Sequence, residues 1–265
     1  MIEVNAIGCS PSSNRINRNG QLGEPRVRRI FIPTTGPMDW RSLLADPDKQ
    51  WCRRASALEL AVSWEGAQRT ERGIPPRVID ALDRNPVLAG CRLLLAFPEH
   101  RVTLKGRGRA SQTDLWAVLR AGDEYVSMAV EGKAGEAFGP TLGEWLIQPS
   151  DGKKERLDQL YQILQVATRP HSDELRYQLF HRTASAILEA ERVGATIAIM
   201  LVQCFPREDR DDAQSWRDFT AFCAFLGASA VRGGLVQVRR PDGASLFLGW
   251  VDCKAATDSE IAALV

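Results

Sequence analysis

The chain has 265 residues, of which 44% are hydrophobic and 25% charged, and its formal net charge is +1. This is the composition of an ordinary globular domain, and the near-zero net charge gives no global indication of a nucleic-acid binder. The longest apolar run, ATIAIMLV, is far shorter than the roughly 20 residues that cross a bilayer. Its six cysteines form neither a CxxC pair nor a zinc-ligand spacing, so we expect a cytoplasmic protein with reduced thiols and no membrane association.

The chain begins with a segment that has little apolar periodicity. Residues 1–25 are rich in Asn, Ser, Gly and Arg, which predicts a flexible tail, and no linker interrupts the single domain expected over 26–265. The first helix is predicted to begin at Ser56, where SALE matches a capping box between Ser56 and Glu59. It is expected to end before the glycine and prolines of RGIPP.

Three strands and further helices are predicted next. CRLLLAF is a strand expected to end at Pro98, and TDLWAVLR and YVSMAVEGK form an antiparallel pair around Gly122-Asp123. Two helical patterns follow, and the second has Ser172 as its expected cap and Gly194 just past its end. TIAIMLVQC does not alternate, which favours a strand covered on both faces, and a helix and a final hairpin complete the chain. This order predicts an α/β fold with a mixed β-sheet sandwiched by helices.

The predicted hairpin carries charged residues among apolar ones. Because side chains alternate along a strand, Glu131 and Lys133 share one face, and a two-residue turn at Gly122-Asp123 puts Asp114 opposite Glu131. Two carboxylates in that relation repel each other and need a compensating cation. Lys133 could serve in a plain surface salt bridge, but a divalent metal ion fits better.

The expected metal is Mg²⁺ or Mn²⁺, because hard cations take carboxylate oxygens, waters and substrate phosphates as ligands. Such an ion lowers the pKa of water and offsets charge on phosphoryl oxygens, while Lys133 could orient the water or stabilise the transition state. Glu65, on the preceding helix, is a further candidate metal ligand, although a solvated acid on the helix surface explains it equally well.

Two other groups of polar residues are candidates for contacting a phosphate. One is a stripe at helical spacing that alternatively faces solvent, formed by Gln178, His181, Arg182 and Ser185. The other is a basic segment before the hairpin, which alternatively is merely solvated; its cations are Arg101, Lys105, Arg107 and Arg109.

With these residues in view, the chain resembles the PD-(D/E)XK, or restriction-endonuclease-like, nuclease superfamily. The core of that superfamily is helix, three strands, helix and strand, with an Asp opening the second strand and Glu-x-Lys ending the third. The resemblance implies metal-binding and catalytic roles for Asp114, Glu131 and Lys133. It implies that Glu65 corresponds to an acid that members of the superfamily often have on the first helix. It also implies that Gln178 and His181 correspond to polar residues that occur less regularly on the later helix. Thr113 stands where the motif's name has Pro.

More closely, the chain is similar to a bacterial family of uncharacterised proteins linked to that superfamily. The stretches that carry this similarity are DWRSLLADPDKQW, SALELAVSWE, FPEHRVTLKGRGRASQTDLW, VEGKAGEAFGPTLGEW and RYQLFHRTASAILEA.

The function expected from these features is that of a metal-dependent nuclease acting on DNA, in restriction, repair or phage defence. The alternative from another class is a non-catalytic nucleic-acid-binding or protein-interaction module on the same fold. Hydrolysis of a small phosphoester would need a closed pocket, and the lack of a Walker loop argues against kinase or GTPase chemistry. By analogy of fold, a homodimer would suit an enzyme that cuts both strands of a duplex.

Overall fold

The computed structural model of the chain describes residues 30, 34, 36–106, 108–166 and 172–264. The expected tail at 1–25 and the site residue Arg107 lie outside these residues. Within the described part of the chain, a short 3-10 helix at Pro37–Leu43 precedes the α-helices. These are α1 Pro47–Gln50, α2 Ser56–Ala67, α3 Pro76–Asp83, α4 Leu142–Leu146, α5 Asp151–Leu164, α6 Tyr177–Val193, α7 Ala213–Phe225 and α8 Asp258–Leu264.

The strands form one mixed sheet of six, in the order β1-β2-β3-β4-β6-β5. Their bounds are β1 Arg92–Val102, β2 Ser111–Ala121, β3 Glu124–Lys133, β4 Ile197–Cys204, β5 Gly234–Val238 and β6 Ser245–Asp252. Strands β1, β2 and β3 form an antiparallel meander, and β4 lies parallel to both β3 and β6. The predicted closing hairpin is the antiparallel pair β5 and β6. The prediction of an α/β fold with a mixed sheet is therefore confirmed.

Apolar residues cover both faces of the sheet. One face packs against α2 and α3, with Trp64 and Val78 fully buried, and the other packs against α5, α6 and α7. Every residue of β4 is buried, as its lack of alternation predicts. The burial of apolar surface on both sides is what holds this parallel central part of the sheet between layers of helices.

The predicted hairpin register is also confirmed. Leu115 pairs with Val130 and Ala121 with Glu124, so the turn consists of Gly122 and Asp123, and Gly122 has the positive φ of 57° that such turns require. The pairing brings the start of β2 next to the end of β3. This is the position where the predicted site residues lie.

The first strand and the first helix differ from the predictions. Strand β1 does not end at Pro98, which pairs with Leu115 inside the strand. Because β1 is an edge strand, proline can be accommodated there without breaking a ladder hydrogen bond on the solvent side. Helix α2 does begin at Ser56, but the capping box is wrong: Glu59 is buried, and its Oε2 accepts the main-chain N–H of Ala256 at 2.6 Å.

Two helices also differ from the predictions. Helix α6 begins at Tyr177 rather than after Ser172, whose hydroxyl instead accepts a hydrogen bond from Tyr161 Oη at 2.7 Å. Helix α3, which begins with Pro76, was not predicted, although proline is favoured in the first turn of a helix. None of the helices in the described residues is both long enough and apolar enough to cross a membrane.

Candidate functional site

The site lies where the end of β3 meets the start of β2 and the first turns of α6. Glu131 and Lys133 are buried at the end of β3, on the face of the sheet that α6 covers. Asp114 lies near the start of β2, and its Oδ2 accepts the main-chain N–H of Gly132 at 2.8 Å. The structure thus brings Asp114, Glu131 and Lys133 together, as the strand alternation and the hairpin register predict.

Glu131 is the centre of a closed hydrogen-bond network. Its Oε1 accepts from Lys133 Nζ at 2.9 Å and from Gln178 Nε2 at 2.6 Å, and its Oε2 accepts from Arg182 Nε at 2.5 Å. Burial alone would raise the pKa of the Glu131 carboxyl, but the charges and hydrogen bonds of Arg182 and Lys133 outweigh burial and lower it to about 2. Glu131 is therefore a carboxylate at any physiological pH.

Lys133 and Arg182 are fixed by more than one contact each. Lys133 Nζ also donates to Gln178 Oε1 at 3.2 Å and lies 4.8 Å from the centre of the Phe138 ring. Arg182 donates from Nη1 to Ser111 Oγ at 3.3 Å, and its Nη2 is 3.7 Å from Asp114 Oδ1. These contacts hold both cations beside the two carboxylates.

Asp114 is in a different electrostatic environment from Glu131. Burial and the charge of Glu131 raise the pKa of the Asp114 carboxyl to about 7, against the opposing effects of Arg182, Lys133 and the Gly132 N–H. The two carboxylates thus have pKa values pushed in opposite directions, which is common at functional sites.

The polar stripe of α6 faces the site rather than solvent. Gln178 and Arg182 contact Glu131, and the Ser185 hydroxyl donates to Ser111 Oγ at 2.9 Å. His181 Nδ1 lies 2.8 Å from Ser111 Oγ, and burial together with the Arg182 charge lowers the pKa of His181 well below its usual value. His181 is therefore a neutral imidazole at the edge of the site.

Glu65 is not brought to this group. It is buried on α2, where its Oε1 accepts hydrogen bonds from Thr34 Oγ1 at 2.7 Å and from Trp40 Nε1 at 3.0 Å. The α2 residues that reach the cleft, Ser56 and Ala57, are at the other end of the helix. Glu65 therefore joins α2 to the segment before it, and it is not adjacent to Asp114 or Glu131 as expected from sequence.

An open cleft of about 1070 Å³ leads to the site. Among the described residues it is lined by four acids and by eight basic side chains, the latter being Lys49, Arg54, Arg101, Arg109, Lys133, Arg182, Arg207 and Arg210. Two members of the predicted basic segment, Arg101 and Arg109, are thus at the cleft. Lys105 is exposed but is not part of its wall; its main-chain N–H donates to Gln159 Oε1.

Sequence reasoning missed two acids of this cleft, Glu99 on β1 and Glu136 just after β3. Gln112 Nε2 donates to Glu99 Oε2 at 2.7 Å, and burial and the charge of Asp114 raise the pKa of Glu99 to about 8. The expectation that β1 ends at Pro98 hid this residue, because it assigned Glu99 to a loop. Finding Glu99 would have required knowing that β1 continues past Pro98 and that His100 still pairs with β2.

A second cluster of potential metal ligands lies elsewhere in the fold and was not predicted. It is formed by Cys204, Asp212 and Asp252. Arg232 forms ion pairs with both aspartates, at 2.7 Å from Nε to Asp252 Oδ2 and through Nη2 to Asp212. Arg232 is shared between the two carboxylates, and burial raises the pKa of the Cys204 thiol, so the cluster has the features of a structural ion-pair network.

The fold and the site together define an α/β protein with a buried carboxylate and lysine group at the base of a basic cleft. Comparison with family models matches residues 33–255 to the model described as a domain of unknown function, DUF6946. The match covers most of the chain, and the protein belongs to this family. Comparisons with curated proteins and with solved structures give no match.

Proposed function

We propose that this protein is a metal-dependent nuclease that hydrolyses phosphodiester bonds, with DNA as its substrate. The observation that carries the proposal is the meeting of Asp114, Glu131 and Lys133 at the base of a cleft with twice as many basic as acidic side chains. A restriction-endonuclease-like core is further supported by the order of the elements around the site, which is α2, β1, β2, β3, α6 and β4. In that class, the second strand has an acid near its start and the third ends with Glu-x-Lys. Asp114 in β2 and the run from Glu131 to Lys133 in β3 match this pattern.

The carboxylates of the site suit a divalent cation of the Mg²⁺ or Mn²⁺ type. Asp114 lines the cleft, and Arg182 Nη2, which pairs with its Oδ1, is 3.7 Å away, beyond hydrogen-bonding distance. Asp114, whose Oδ1 accepts no hydrogen bond from the described residues, is the carboxylate of the predicted pair best placed to hold the ion. A bound cation of this kind activates water as a nucleophile and neutralises charge on phosphoryl oxygens.

Lys133 and Arg182 supply positive charge that does not depend on a metal ion. Both are nearly fully buried and are held by Glu131, so they need little reorganisation when a phosphate enters the cleft. Lys133 Nζ, with Gln178 fixing its position, is the group best placed to orient a water molecule or to stabilise the transition state. His181, being neutral, can accept or donate a hydrogen bond without adding charge.

The shape of the cleft favours a polymer over a small phosphoester. Its basic lining extends from Lys49 in α1 to Arg210 after β4, and it is open to solvent rather than closed around a pocket. Basic side chains distributed in this way contact successive backbone phosphates and contribute salt-dependent, sequence-independent affinity.

The test is cleavage of duplex DNA, single-stranded DNA and RNA with Mg²⁺ or Mn²⁺. The wild type should cleave one polymer only when metal is present, and Asp114→Asn and Lys133→Met should each lower the rate by about 100-fold or more. Lys154→Met, which removes an exposed lysine on α5 paired with Asp151, is the matched control and should retain the wild-type rate.

One observation favours the alternative of a non-catalytic nucleic-acid-binding module. Both oxygens of Glu131 are already satisfied by protein donors, so the network is closed without a metal ion. That alternative predicts nucleic-acid binding that is independent of metal and unaffected by Lys133→Met. Filter binding in EDTA, on the same variants, separates the two functions.

A further inference from the structure

Glu99 and Asp114 occupy corresponding positions on the neighbouring strands β1 and β2. Pro98 pairs with Leu115 and His100 with Thr113, so the position between them on β1 faces the corresponding position on β2. Glu99 also has a φ of 52°, a conformation that non-glycine residues rarely adopt. Both carboxylates line the same cleft.

The oxygens that remain for a ligand belong to Asp114 and Glu99 rather than to Glu131. Glu131 receives three donors on its two oxygens. Asp114 uses Oδ2 for the Gly132 N–H, and Glu99 uses Oε2 for the Gln112 side chain. Within the described residues, no hydrogen bond reaches Asp114 Oδ1 or Glu99 Oε1. Among the cleft carboxylates on β1, β2 and β3, these two oxygens are therefore the available acceptors.

We propose that Glu99 and Asp114 together hold the divalent cation, and that Glu99 is the additional carboxylate ligand for which the sequence suggested Glu65. The inference rests on the proposed function for the nature of the site, but it concerns metal binding and not cleavage. The two neighbouring carboxylates repel each other, and Arg182, the cation that pairs with Asp114 at 3.7 Å, is shared with Glu131. A divalent ion held by these two residues would supply the missing positive charge, and their carboxylates would supply two of its oxygen ligands.

The first experiment is isothermal titration of Mn²⁺ into the full-length wild type, Glu99→Gln and Glu65→Gln. The matched control is Glu65→Gln, since Glu65 is a buried glutamate of α2 and is the further metal ligand that the sequence predicts. Glu99→Gln should weaken Mn²⁺ binding by about tenfold or more, and Glu65→Gln should leave it within about twofold. Unchanged affinity in Glu99→Gln, or a wild type that binds no Mn²⁺ at millimolar concentration, would overturn the inference.

Thermal unfolding separates a lost ligand from a damaged fold. In EDTA, Glu99→Gln should be at least as stable as the wild type, because glutamine keeps the acceptor oxygen for the Gln112 side chain and places no charge beside Asp114. The rise in Tm that Mn²⁺ gives the wild type should be reduced in this variant, since the stabilisation by a ligand increases with its affinity for the folded state. A fall in Tm in EDTA, with a normal Mn²⁺ response, would make Glu99 a structural residue and overturn the inference.

The two proposals can fail separately. A protein that binds Mn²⁺ through Glu99 but cleaves no nucleic acid would refute the nuclease function and support the present inference. Metal-dependent cleavage with the same Mn²⁺ affinity in wild type and Glu99→Gln would refute only the role of Glu99.

Discussion

Arg182 is the cation whose removal should perturb the site most, because it contacts Glu131 and Asp114 at once. The Arg182 and Glu131 side chains are 9% and 4% exposed, and 2.5 Å separates Arg182 Nε from Glu131 Oε2. Breaking a buried ion pair by removing one partner costs about 3–5 kcal/mol, because the other charge is left without compensation. Since Lys133 still pairs with Glu131, we expect Arg182→Met to lower the free energy of unfolding by about 3 kcal/mol.

The assay is urea unfolding in EDTA, followed by circular dichroism and by tryptophan fluorescence. The control is Arg120→Met on the same strand as Asp114. Arg120 pairs with Asp123 at 3.4 Å, but these side chains are 39% and 102% exposed, and exposed pairs contribute about 0–1 kcal/mol.

A double-mutant cycle tests whether the cost arises from the contact with Glu131. Glu131→Gln removes the charge that Arg182 compensates, so the double variant should be more stable than the sum of the single effects by about 2 kcal/mol. If Arg182→Met costs no more than Arg120→Met, the argument that Glu131 depends on this arginine is refuted.

Three further predictions concern charge and packing. The metal-free protein should lose stability as the pH rises from about 4 to 8. Burial and neighbouring carboxylates raise the pKa of Asp114 to about 7 and of Glu99 to about 8, so the folded state binds more protons than the unfolded state across this range. Urea unfolding of the double variant Asp114→Asn/Glu99→Gln should show a weaker loss, and an equal loss would contradict the assignment. His181 should remain neutral from about pH 6 to 8, since burial and the Arg182 charge lower its pKa, and an NMR titration that protonates it in this range would be inconsistent with the site described. Gly249→Ala should cost about 1–3 kcal/mol in urea unfolding, because the added Cβ would lie 2.8 Å from Leu201 Cδ1 in the core; a stability equal to that of the wild type would show that this contact relaxes freely.

The sequence by itself determined the part of the site that depends on local geometry. The two-residue turn at Gly122-Asp123 fixes the register of β2 against β3, and strand alternation puts Glu131 and Lys133 on one face. Helical spacing likewise aligns Gln178 with Arg182 on one side of α6. These relations extend over few residues, so they follow from the local pattern.

The tertiary structure decided which more distant residues join that group. Glu65 and Glu99 are both acids near the predicted core, and the sequence favoured the first as a metal ligand. In the fold, Glu65 is turned to Trp40 and Thr34, whereas the pairing of β1 with β2 continues past Pro98 and brings Glu99 to Asp114. The continuation is possible because β1 is at the edge of the sheet, where a proline costs no hydrogen bond on the open side. Which carboxylate is at the cleft therefore depends on strand order and on the packing of α2, and neither is encoded in the residues next to these acids.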